Sequence, residues 1–361
     1  MARERLNPSM AVVTLSDLSV VLAQREILDR VSLDVPDGAF AAVLGPSGCG
    51  KSTLLRTVAG LTDPTSGSVS FDGQDVTAVA PSERDIGMVF QTPALLPRRS
   101  VRRNVQFPLE LRRETADAIR DRVTAEARAL HIEHLLSRSP SGLSRGEEQL
   151  VQIARAMVRM PRVLLLDEPF SPLDEQLRAR MRSEIGLLQR GYGVTTIMAT
   201  NDPIDAMSLA SMLIVLNGSP AHVVQVGTPT ELHSEPATID VARSTGSLWT
   251  LEARVERDGG GYWLRVGGAL RLRSWAPALS GHVGATVTVG VRTEHLVRDE
   301  RGGATMLLRR VIPGAGDLLL CSWGGRAVTA TGAAAAPEIG TTVRFRLDRP
   351  LVFSPDGRRL V

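Results

Sequence analysis

The sequence is poor in cysteine, in aromatic residues and in long apolar segments. Of its 361 residues only two are cysteines, Cys49 and Cys321, and 4% are aromatic. Two cysteines cannot build a disulfide framework, so we expect a reducing compartment such as the cytoplasm. No apolar run approaches the roughly 18–20 residues that span a bilayer, and the first residues lead into no sustained apolar segment. We therefore expect neither a transmembrane helix nor a secretory signal.

Lysine is the scarcest charged residue. The chain has 42 Lys and Arg residues together, and Lys51 is its only lysine. Arginine replaces lysine readily on a solvated surface, but not where a compact ammonium group is needed. We therefore expect Lys51 to have a specific chemical role.

Charge divides the chain into two parts. Residues 1–240 carry 25 basic and 29 acidic residues, whereas residues 241–361 carry 17 basic and 10 acidic residues and all four tryptophans. The length suits two or three domains, and we expect one domain at 1–240 and a second at 241–361. The arginines of the second part are scattered among alternating segments, which favours a solvated surface over a nucleic-acid interface.

The first part alternates short apolar runs with helical patterns, which predicts an α/β domain with a mostly parallel sheet. Four apolar runs, at residues 40–44, 86–90, 163–166 and 194–200, predict strands that are buried on both faces. The stretch from about 95 to 160 is mostly helical in pattern and too long for a simple crossover. We therefore expect an inserted helical subdomain there.

The second part changes pattern after Gly246. Short segments of alternating hydrophobicity are separated by glycine-rich turns, as in TLEARVERDGGGYWLRVGG and GATVTVGVRTEHL. This pattern predicts a small all-β domain, a barrel or a sandwich, and we expect an OB-like barrel.

A phosphate-binding pattern follows the first predicted strand. The segment GPSGCGKST at residues 45–53 fits G-x-x-x-x-G-K-[ST] in full. In such a loop backbone N–H groups wrap the phosphates, the lysine reaches the β- and γ-phosphates, and the next hydroxyl ligates Mg²⁺. The predicted nucleotide-binding residues of this loop are Gly45, Pro46, Ser47, Gly48, Cys49, Gly50, Lys51, Ser52 and Thr53.

Polar residues also follow the other three predicted strands. Asp167, after the third, is expected to hold Mg²⁺ directly or through water, and Glu168 to orient or activate the attacking water. Gln91 follows the second strand and Asn201 the fourth. Because ligands bind at the carboxyl edge of open α/β sheets, we expect these residues to form one site with Lys51.

The segment LSRGEEQ at residues 143–149 opens another predicted helix. Ser144 is a good N-cap, and Glu147, three residues later, completes a capping-box pattern. The pattern is compatible with a capped structural helix and with a phosphate-binding helix start.

These motifs, in the order GPSGCGKST, Gln91, LSRGEEQ, LLLDEP and SPLD at residues 171–174, resemble those of an ABC transporter ATPase subunit. The resemblance covers residues 1–240. It implies that two subunits enclose two ATP molecules, each held by the phosphate loop of one chain and the signature helix of the other. It implies that Gln91 senses Mg²⁺ and faces the membrane subunits. The residues that it places at the partner's ATP or at the dimer interface are Ser144, Arg145, Gly146, Glu147 and Asp174.

The tail has a narrower resemblance. The segments VGTPTELHSEP at 226–236 and VGVRTEHL at 289–296 are similar to the join and the regulatory β-domain of maltose-type importer ATPases. That subfamily imports sugars, sugar derivatives and glycerol phosphates, and related subunits serve polyamines, iron or sulfate. The resemblance implies two membrane permease subunits, an extracytoplasmic solute-binding protein that acts indirectly, and a peripheral location on the cytoplasmic face of the inner membrane. Arginine pairs at 98–99, 102–103 and 112–113 lie where the family docks its permease, although a solvated face explains them equally well.

Three positions depart from the family pattern. Asn201 occupies the place of a histidine at the γ-phosphate, and losing one such donor costs about 10²–10³ in rate. Leu22 occupies the place of an aromatic residue that stacks on adenine, which is worth about 1–3 kcal/mol. Arg145 and Glu147 alter the usual LSGGQ signature, and Arg145 is a candidate phosphate contact. We therefore expect a subunit that binds ATP and Mg²⁺ but hydrolyses slowly at its own site.

The leading interpretation is a subunit that binds and hydrolyses ATP to energise an ABC importer for a sugar or sugar derivative, and two alternatives remain at this point. One is a degenerate ABC subunit that is regulatory or is paired with a distinct ATPase. The other is a soluble ABC protein that acts on ribosomes or DNA. The latter class usually pairs two ATPase domains in one chain or carries long coiled coils, and neither is visible in the sequence.

Overall fold

The computed structural model describes residues 11–171, 173–267, 270–299, 303–312, 318–323, 326–331 and 338–361. Pro172, within the predicted SPLD segment, lies outside them. The chain divides into two compact units, Met1–Glu231 and Leu232–Val361. This division falls shortly before the expected join between residues 240 and 241.

Ten strands of the first unit form one sheet. They are β1 (Val13–Leu22), β2 (Arg25–Val35), β3 (Phe40–Leu44), β4 (Ser66–Phe71), β5 (Gln74–Asp75), β6 (Ile86–Val89), β7 (Val163–Asp167), β8 (Thr195–Thr200), β9 (Met212–Gly218) and β10 (Ala221–Gly227). Their order is β5-β4-β1-β2-β10-β9-β3-β8-β7-β6. The four predicted strands are β3, β6, β7 and β8, and they lie side by side in parallel pairs.

The sheet is mixed rather than mostly parallel. Strands β1, β2, β4 and β5 add antiparallel pairs at one side, and β9 and β10 form an antiparallel hairpin. The burial patterns explain the difference. Every residue of β3, β7 and β8 is buried, as expected for strands covered on both faces, whereas β2 alternates buried and exposed residues over much of its length.

The helices of this part of the chain are α1 (Lys51–Val58), α2 (Val101–Leu111), α3 (Ala116–Ala129), α4 (Arg145–Met157), α5 (Glu175–Tyr192), α6 (Pro203–Leu209) and α7 (Pro229–Ser234). Short 3-10 helices lie at Glu133–Leu135 and Pro140–Gly142. The elements α2, α3 and α4 fall within the predicted helical stretch from about 95 to 160. In helix α4 the residues Ile153, Ala154 and Met157, which follow the predicted helical apolar spacing, are buried.

Among the described residues of the second unit are the short helix α8 (Ile239–Ser244) and ten strands. The strands are β11 (Leu248–Asp258), β12 (Gly261–Val266), β13 (Leu270–Ser274), β14 (Thr286–Arg292), β15 (Leu296–Arg298), β16 (Ala304–Ile312), β17 (Leu318–Trp323), β18 (Arg326–Thr331), β19 (Thr342–Leu347) and β20 (Leu351–Phe353). Short 3-10 helices lie at Pro277–His282 and Thr293–His295.

These strands form a five-stranded sheet and a closed five-stranded barrel. The sheet has the order β13-β12-β11-β14-β20 and is antiparallel, and the barrel has the order β15-β18-β17-β16-β19 with one parallel pair, β15 and β18. Val289 of the sheet and Leu308 and Phe345 of the barrel belong to one buried cluster. The predicted all-β domain with an OB-like barrel is therefore confirmed.

Candidate functional site

The phosphate loop turns sharply between β3 and α1, and glycine is needed in it. Gly48 and Gly50 have φ values of 79° and 108°, in the left-handed region that side chains disfavour. A Cβ on Gly45 would lie 2.5 Å from the carbonyl oxygen of Leu216. The backbone of the loop therefore approaches its neighbours too closely for larger residues, while Pro46, Ser47 and Gly48 remain exposed to a ligand.

Lys51 lies under this loop at the first turn of α1. It is only 4% exposed, and its Nζ donates hydrogen bonds to the carbonyl oxygens of Gly45 (2.8 Å) and Pro46 (2.9 Å). Helix α1 begins at Lys51 and its N-cap residue, Gly50, has no side chain to cap it, so the first N–H groups of the helix are available to an anion. One ammonium group and a free helix start thus converge on the loop, which fits a bound phosphate.

Other loop residues have supporting positions. Cys49 is half-buried, and burial raises the pKa of its thiol above the ordinary value. Thr53 lies within α1, where its carbonyl oxygen accepts a hydrogen bond from Thr57 at 2.9 Å. Both residues belong to the predicted set, although the contacts described for them are structural.

Ser52 and Asp167 meet beside the loop. The Ser52 hydroxyl donates to Oδ1 of Asp167 at 2.8 Å, and Asp167 is 2% exposed at the end of β7. A hydroxyl and a carboxylate are hard oxygen donors, which suit Mg²⁺. The described residues contain no cluster of three or more His, Cys, Asp or Glu that could hold a metal. Mg²⁺ is usually held by one or two carboxylates together with substrate phosphates, and Asp167 offers one such carboxylate.

Glu168 and Gln91 form a second pair at the same edge. Nε2 of Gln91 donates to Oε2 of Glu168 at 3.0 Å, and the backbone N–H of Glu168 donates to the Ala199 carbonyl oxygen at 2.9 Å. Glu168 has a φ of 44°, a conformation that is uncommon for residues other than glycine and that clusters at functional sites. The structure therefore brings Gln91 and Glu168 together, while their roles in sensing Mg²⁺ and in activating water stay predictions.

Asn201 follows the last residue of β8. The register pairs Thr200 of β8 with Leu44 of β3, so Asn201 leaves the sheet at the edge where Gly45 begins the loop. Its side chain is exposed and carries no charge. The predicted position of Asn201 at the shared sheet edge is thus observed, while its contact with the γ-phosphate stays a prediction.

Leu22 ends β1 and pairs with Arg25 across the β1–β2 turn. It is 42% exposed. The same hairpin approaches the phosphate loop, since a Cβ on Gly50 would lie 3.1 Å from Cγ2 of Ile27. This proximity is compatible with an adenine contact at Leu22, which stays a prediction.

The signature segment forms the predicted capping box at the start of α4. The Ser144 N–H donates to Oε2 of Glu147 at 2.7 Å, and the Glu147 N–H donates to the Ser144 hydroxyl at 3.3 Å. The hydrogen bond from the Ser144 backbone lowers the pKa of the Glu147 carboxyl below its ordinary value. The Glu147 carboxylate therefore interacts with neighbours in its own chain, accepting a hydrogen bond from Ser144 and lying 3.7 Å from the Arg138 guanidinium. The Arg145 side chain, by contrast, is exposed.

The signature segment adjoins α5. A Cβ on Gly146 would overlap the Leu177 side chain, and Asp174 caps α5 by accepting a hydrogen bond from the Leu177 N–H at 2.9 Å. None of these contacts involves the phosphate loop. The structure therefore groups the residues expected at the partner's ATP with one another.

One element of the site was missed by the sequence analysis. Asp202 caps α6 through the Ile204 N–H (2.8 Å) and forms an ion pair with Arg178 of α5. This pair fixes the segment that carries Asn201. The local signal was present, because Asp before Pro203 is a typical helix start, but the partner in α5 is not visible from sequence.

Comparisons with known proteins agree with this geometry. The sequence model of the ABC transporter family matches residues 28–171. The sn-glycerol-3-phosphate import ATP-binding protein UgpC of Ruegeria sp. (strain TM1040) is 41% identical over 366 aligned positions, covering 97% of this chain and 99% of that protein. The UgpC protein of Escherichia coli O6:K15:H31 (strain 536 / UPEC) is 38% identical over 338 positions, covering 92% of this chain and 94% of that protein.

A solved structure extends the likeness to three dimensions. The dimeric structure of MJ0796, a bacterial ABC transporter cassette, superposes with a TM-score of 0.55 and 27% identity, covering 60% of this chain and 98% of that one. The phosphate loop, the Ser52–Asp167 pair and the Gln91–Glu168 pair all lie within the part of this chain that the family model matches. This chain therefore belongs to the ATP-hydrolysing, ATP-binding subunits of ABC importers.

Proposed function

We propose that this chain hydrolyses ATP to energise the import of sn-glycerol-3-phosphate or a closely related sugar derivative. The observation that carries the proposal is the paired arrangement at one sheet edge, Ser52 with Asp167 and Gln91 with Glu168. The choice of solute is supported by the UgpC relatives, whose printed names specify glycerol-3-phosphate.

The residues of the site divide the work. Lys51 and the loop N–H groups hold the phosphates, and Ser52 and Asp167 are placed to hold Mg²⁺. When bound, Mg²⁺ supplies positive charge that offsets the charge developing on the transferred phosphoryl group. Glu168 orients the attacking water and accepts a proton from it. Gln91 positions the Glu168 carboxylate through the hydrogen bond between them.

We infer that a second ATPase subunit completes each site. The phosphate loop and the signature residues Ser144 and Gly146 make separate sets of contacts within one chain. The N-terminus of α4, together with the exposed Arg145 side chain, suits the phosphates of an ATP held by the partner. The dimeric form of MJ0796 supports this arrangement.

Two permease subunits are the proposed membrane partners. A groove of about 390 Å³ in the first unit is lined by apolar side chains and by arginines, among them Leu96, Phe107, Leu111, Arg112, Arg155 and Arg159. Leu111 is 69% exposed. Such a groove suits an amphipathic segment with an acidic side chain.

Docking of the permeases in this groove would place the chain at the cytoplasmic face of the inner membrane, with the extracytoplasmic binding protein acting through the permeases. Among the described residues, no helix has both the length and the apolar character for a membrane crossing.

Solute uptake tests the proposal. Cells that lack their own glycerol-3-phosphate import ATPase would receive this chain with its permeases, and uptake of labelled sn-glycerol-3-phosphate would be measured. We expect uptake that is lost with Lys51→Ala. If the purified chain hydrolyses ATP but the cells take up no sn-glycerol-3-phosphate, the proposed solute is wrong, whereas the proposed ATPase activity is not.

A slow-turnover subunit is the second candidate, and Asn201 favours it. The amide at the end of β8 offers a hydrogen-bond donor but no positive charge. Such a chain would bind ATP normally and depend on a distinct partner ATPase for productive turnover. Single-turnover hydrolysis by the purified chain separates the two candidates, because a slow subunit would convert bound ATP at a small fraction of the rate of a chain with Asn201→His.

A further inference from the structure

A buried carboxyl group lies outside the nucleotide site. Glu126 of α3 is 4% exposed, and its Oε2 accepts a hydrogen bond from the Tyr192 hydroxyl at 3.0 Å. Its other oxygen, Oε1, is buried without a hydrogen-bond partner among the described residues. An ionised carboxylate in this position would leave one charged oxygen uncompensated, which is costly. The surroundings therefore favour the neutral acid.

The partner of this carboxyl is fixed to the sheet. Tyr192 is the last residue of α5, and one turn earlier Nε2 of Gln189 donates to the carbonyl oxygens of Gly38 (2.8 Å) and Val194 (3.1 Å). The Gly193 N–H closes the helix on the Gln189 carbonyl oxygen at 2.7 Å. Tyr192 is thus anchored to the segments that precede β3 and β8, while Glu126 belongs to the inserted helical segment.

Helix α3 has few other buried anchors. Of its fourteen residues only Val123, Glu126 and Ala127 are buried, and it packs against α2 and α4. The titratable group that faces Glu126 is Tyr192 of α5. Several charged groups on α3 and around it have a partner other than Glu126: Arg120 with Asp117, Arg122 with Glu114, Glu110 with Arg99, Glu147 with Arg138, and His131 with Glu184.

We propose that Glu126 and Tyr192 form a proton-dependent latch between α3 and α5, which is closed when the Glu126 carboxyl carries its proton and loosens when it ionises. Because α3 packs against α4, the latch sets how firmly the start of α4 is held. A loosened α4 is then expected to lower the rate of ATP turnover. This expected effect on turnover rests on the proposed role of α4 at the partner's ATP.

The direction of the pH effect follows from burial. Burial raises the pKa of Glu126 from 4.5 to about 7, and the hydrogen bond from Tyr192 opposes that rise. Burial raises the pKa of the Tyr192 hydroxyl, and the neighbouring Glu126 carboxylate raises that pKa further. Tyr192 therefore stays protonated and remains the hydrogen-bond donor. Between pH 4.5 and about 7, the Glu126 carboxyl therefore keeps its proton in the closed latch and releases that proton in the open form. Its stabilisation is complete below pH 4.5 and is lost as the pH rises to about 7.

Hydrogen exchange of α3 tests the latch in the full chain. The exchange rate of α3 amides would be measured in the wild type and in Glu126→Gln at each pH, so that the intrinsic pH dependence of exchange cancels in the ratio. We expect the ratio of wild type to variant to rise about tenfold per pH unit between about pH 5 and 7 and then to level off. Glu133→Gln, an exposed carboxyl on the same segment, should give a ratio that does not change with pH. A flat ratio for Glu126→Gln overturns the latch.

Two further measurements sharpen the test. In Tyr192→Phe the hydrogen bond that lowers the Glu126 pKa is absent, so the levelling point of the exchange ratio should move to higher pH; an unmoved point overturns the assignment of Tyr192. ATP turnover of the wild type relative to Glu126→Gln should fall over the same pH range. A turnover ratio that stays flat while the exchange ratio rises overturns the coupling to α4. If no variant hydrolyses ATP, the exchange measurement still decides the latch.

Discussion

Two regions of the nucleotide site differ in how much of the expected chemistry they carry. At the phosphate end, Lys51 and Asp167 are 4% and 2% exposed and are tied by hydrogen bonds to the loop and to Ser52. At the outer end, Leu22 is 42% exposed, and Asn201 is exposed and uncharged. The buried region is the part that we propose to hold phosphate and Mg²⁺. The phosphate end therefore keeps the residues expected there, whereas both residues predicted to contact adenine and the γ-phosphate at the outer end depart from the family pattern.

The largest expected effect is the loss of ATP affinity when Lys51, at the phosphate end, is substituted. Lys51→Ala should weaken binding of ATP with Mg²⁺ by more than a hundredfold, because it removes charge-assisted hydrogen bonds worth about 1.5–3 kcal/mol each. Lys51→Arg should be nearly as damaging, since a planar guanidinium does not replace a compact ammonium under the loop. Titration calorimetry measures both. Arg56→Ala, an exposed cation on α1, is the control, and tight binding by Lys51→Arg would refute the need for lysine.

The next effect separates nucleotide binding from chemistry at Glu168, which follows the buried Asp167 in the chain. Glu168→Gln keeps the size of the side chain but removes the base, so turnover should fall about 10²–10⁴-fold while ATP affinity stays unchanged. Steady-state hydrolysis and nucleotide titration check the two halves of this expectation. If turnover survives in Glu168→Gln, another group must activate the water.

A smaller effect concerns the outer region. Asn201→His should raise turnover by up to about 10²-fold, since it restores a donor that can carry charge toward the γ-phosphate. Asn201→Ser removes the amide without adding a ring and should lower or maintain the present rate. Hydrolysis by the full chain measures both variants. An unchanged or lowered rate in Asn201→His would show that this position does not limit turnover.

The smallest expected effect concerns adenine. Leu22→Tyr should tighten ATP binding by about 1–3 kcal/mol, the range for a base stacked on an aromatic ring. Val21→Tyr is a matched control, because Val21 is the neighbouring residue of β1, is 41% exposed and points to the opposite face of the strand. Equal affinities for the two variants would place adenine away from Leu22.

Local patterns in the sequence predicted several parts of this architecture. The four apolar runs became β3, β6, β7 and β8, because a strand covered on both faces needs an uninterrupted apolar segment. The Ser144–Glu147 capping box was also predictable, since its two members are one helical turn apart. The antiparallel side of the sheet was not predicted. Its strands pair with segments that are distant in the chain, and periodicity does not reveal such partners.

The sequence by itself determined the phosphate loop. Its glycines, Lys51 and Ser52 are neighbours in the chain, so their chemistry follows from local conformation. Only the tertiary structure decided that the Ser52 hydroxyl meets Asp167, 115 residues away, and that Gln91 meets Glu168, 77 residues away. Only folding buried Glu126 against Tyr192, which made an ordinary surface-type carboxyl into a titrating group near neutral pH. The physical reason is the same in each case: desolvation and hydrogen bonding depend on which side chains the sheet and helices bring together, and contacts of that range are not encoded in any single local segment.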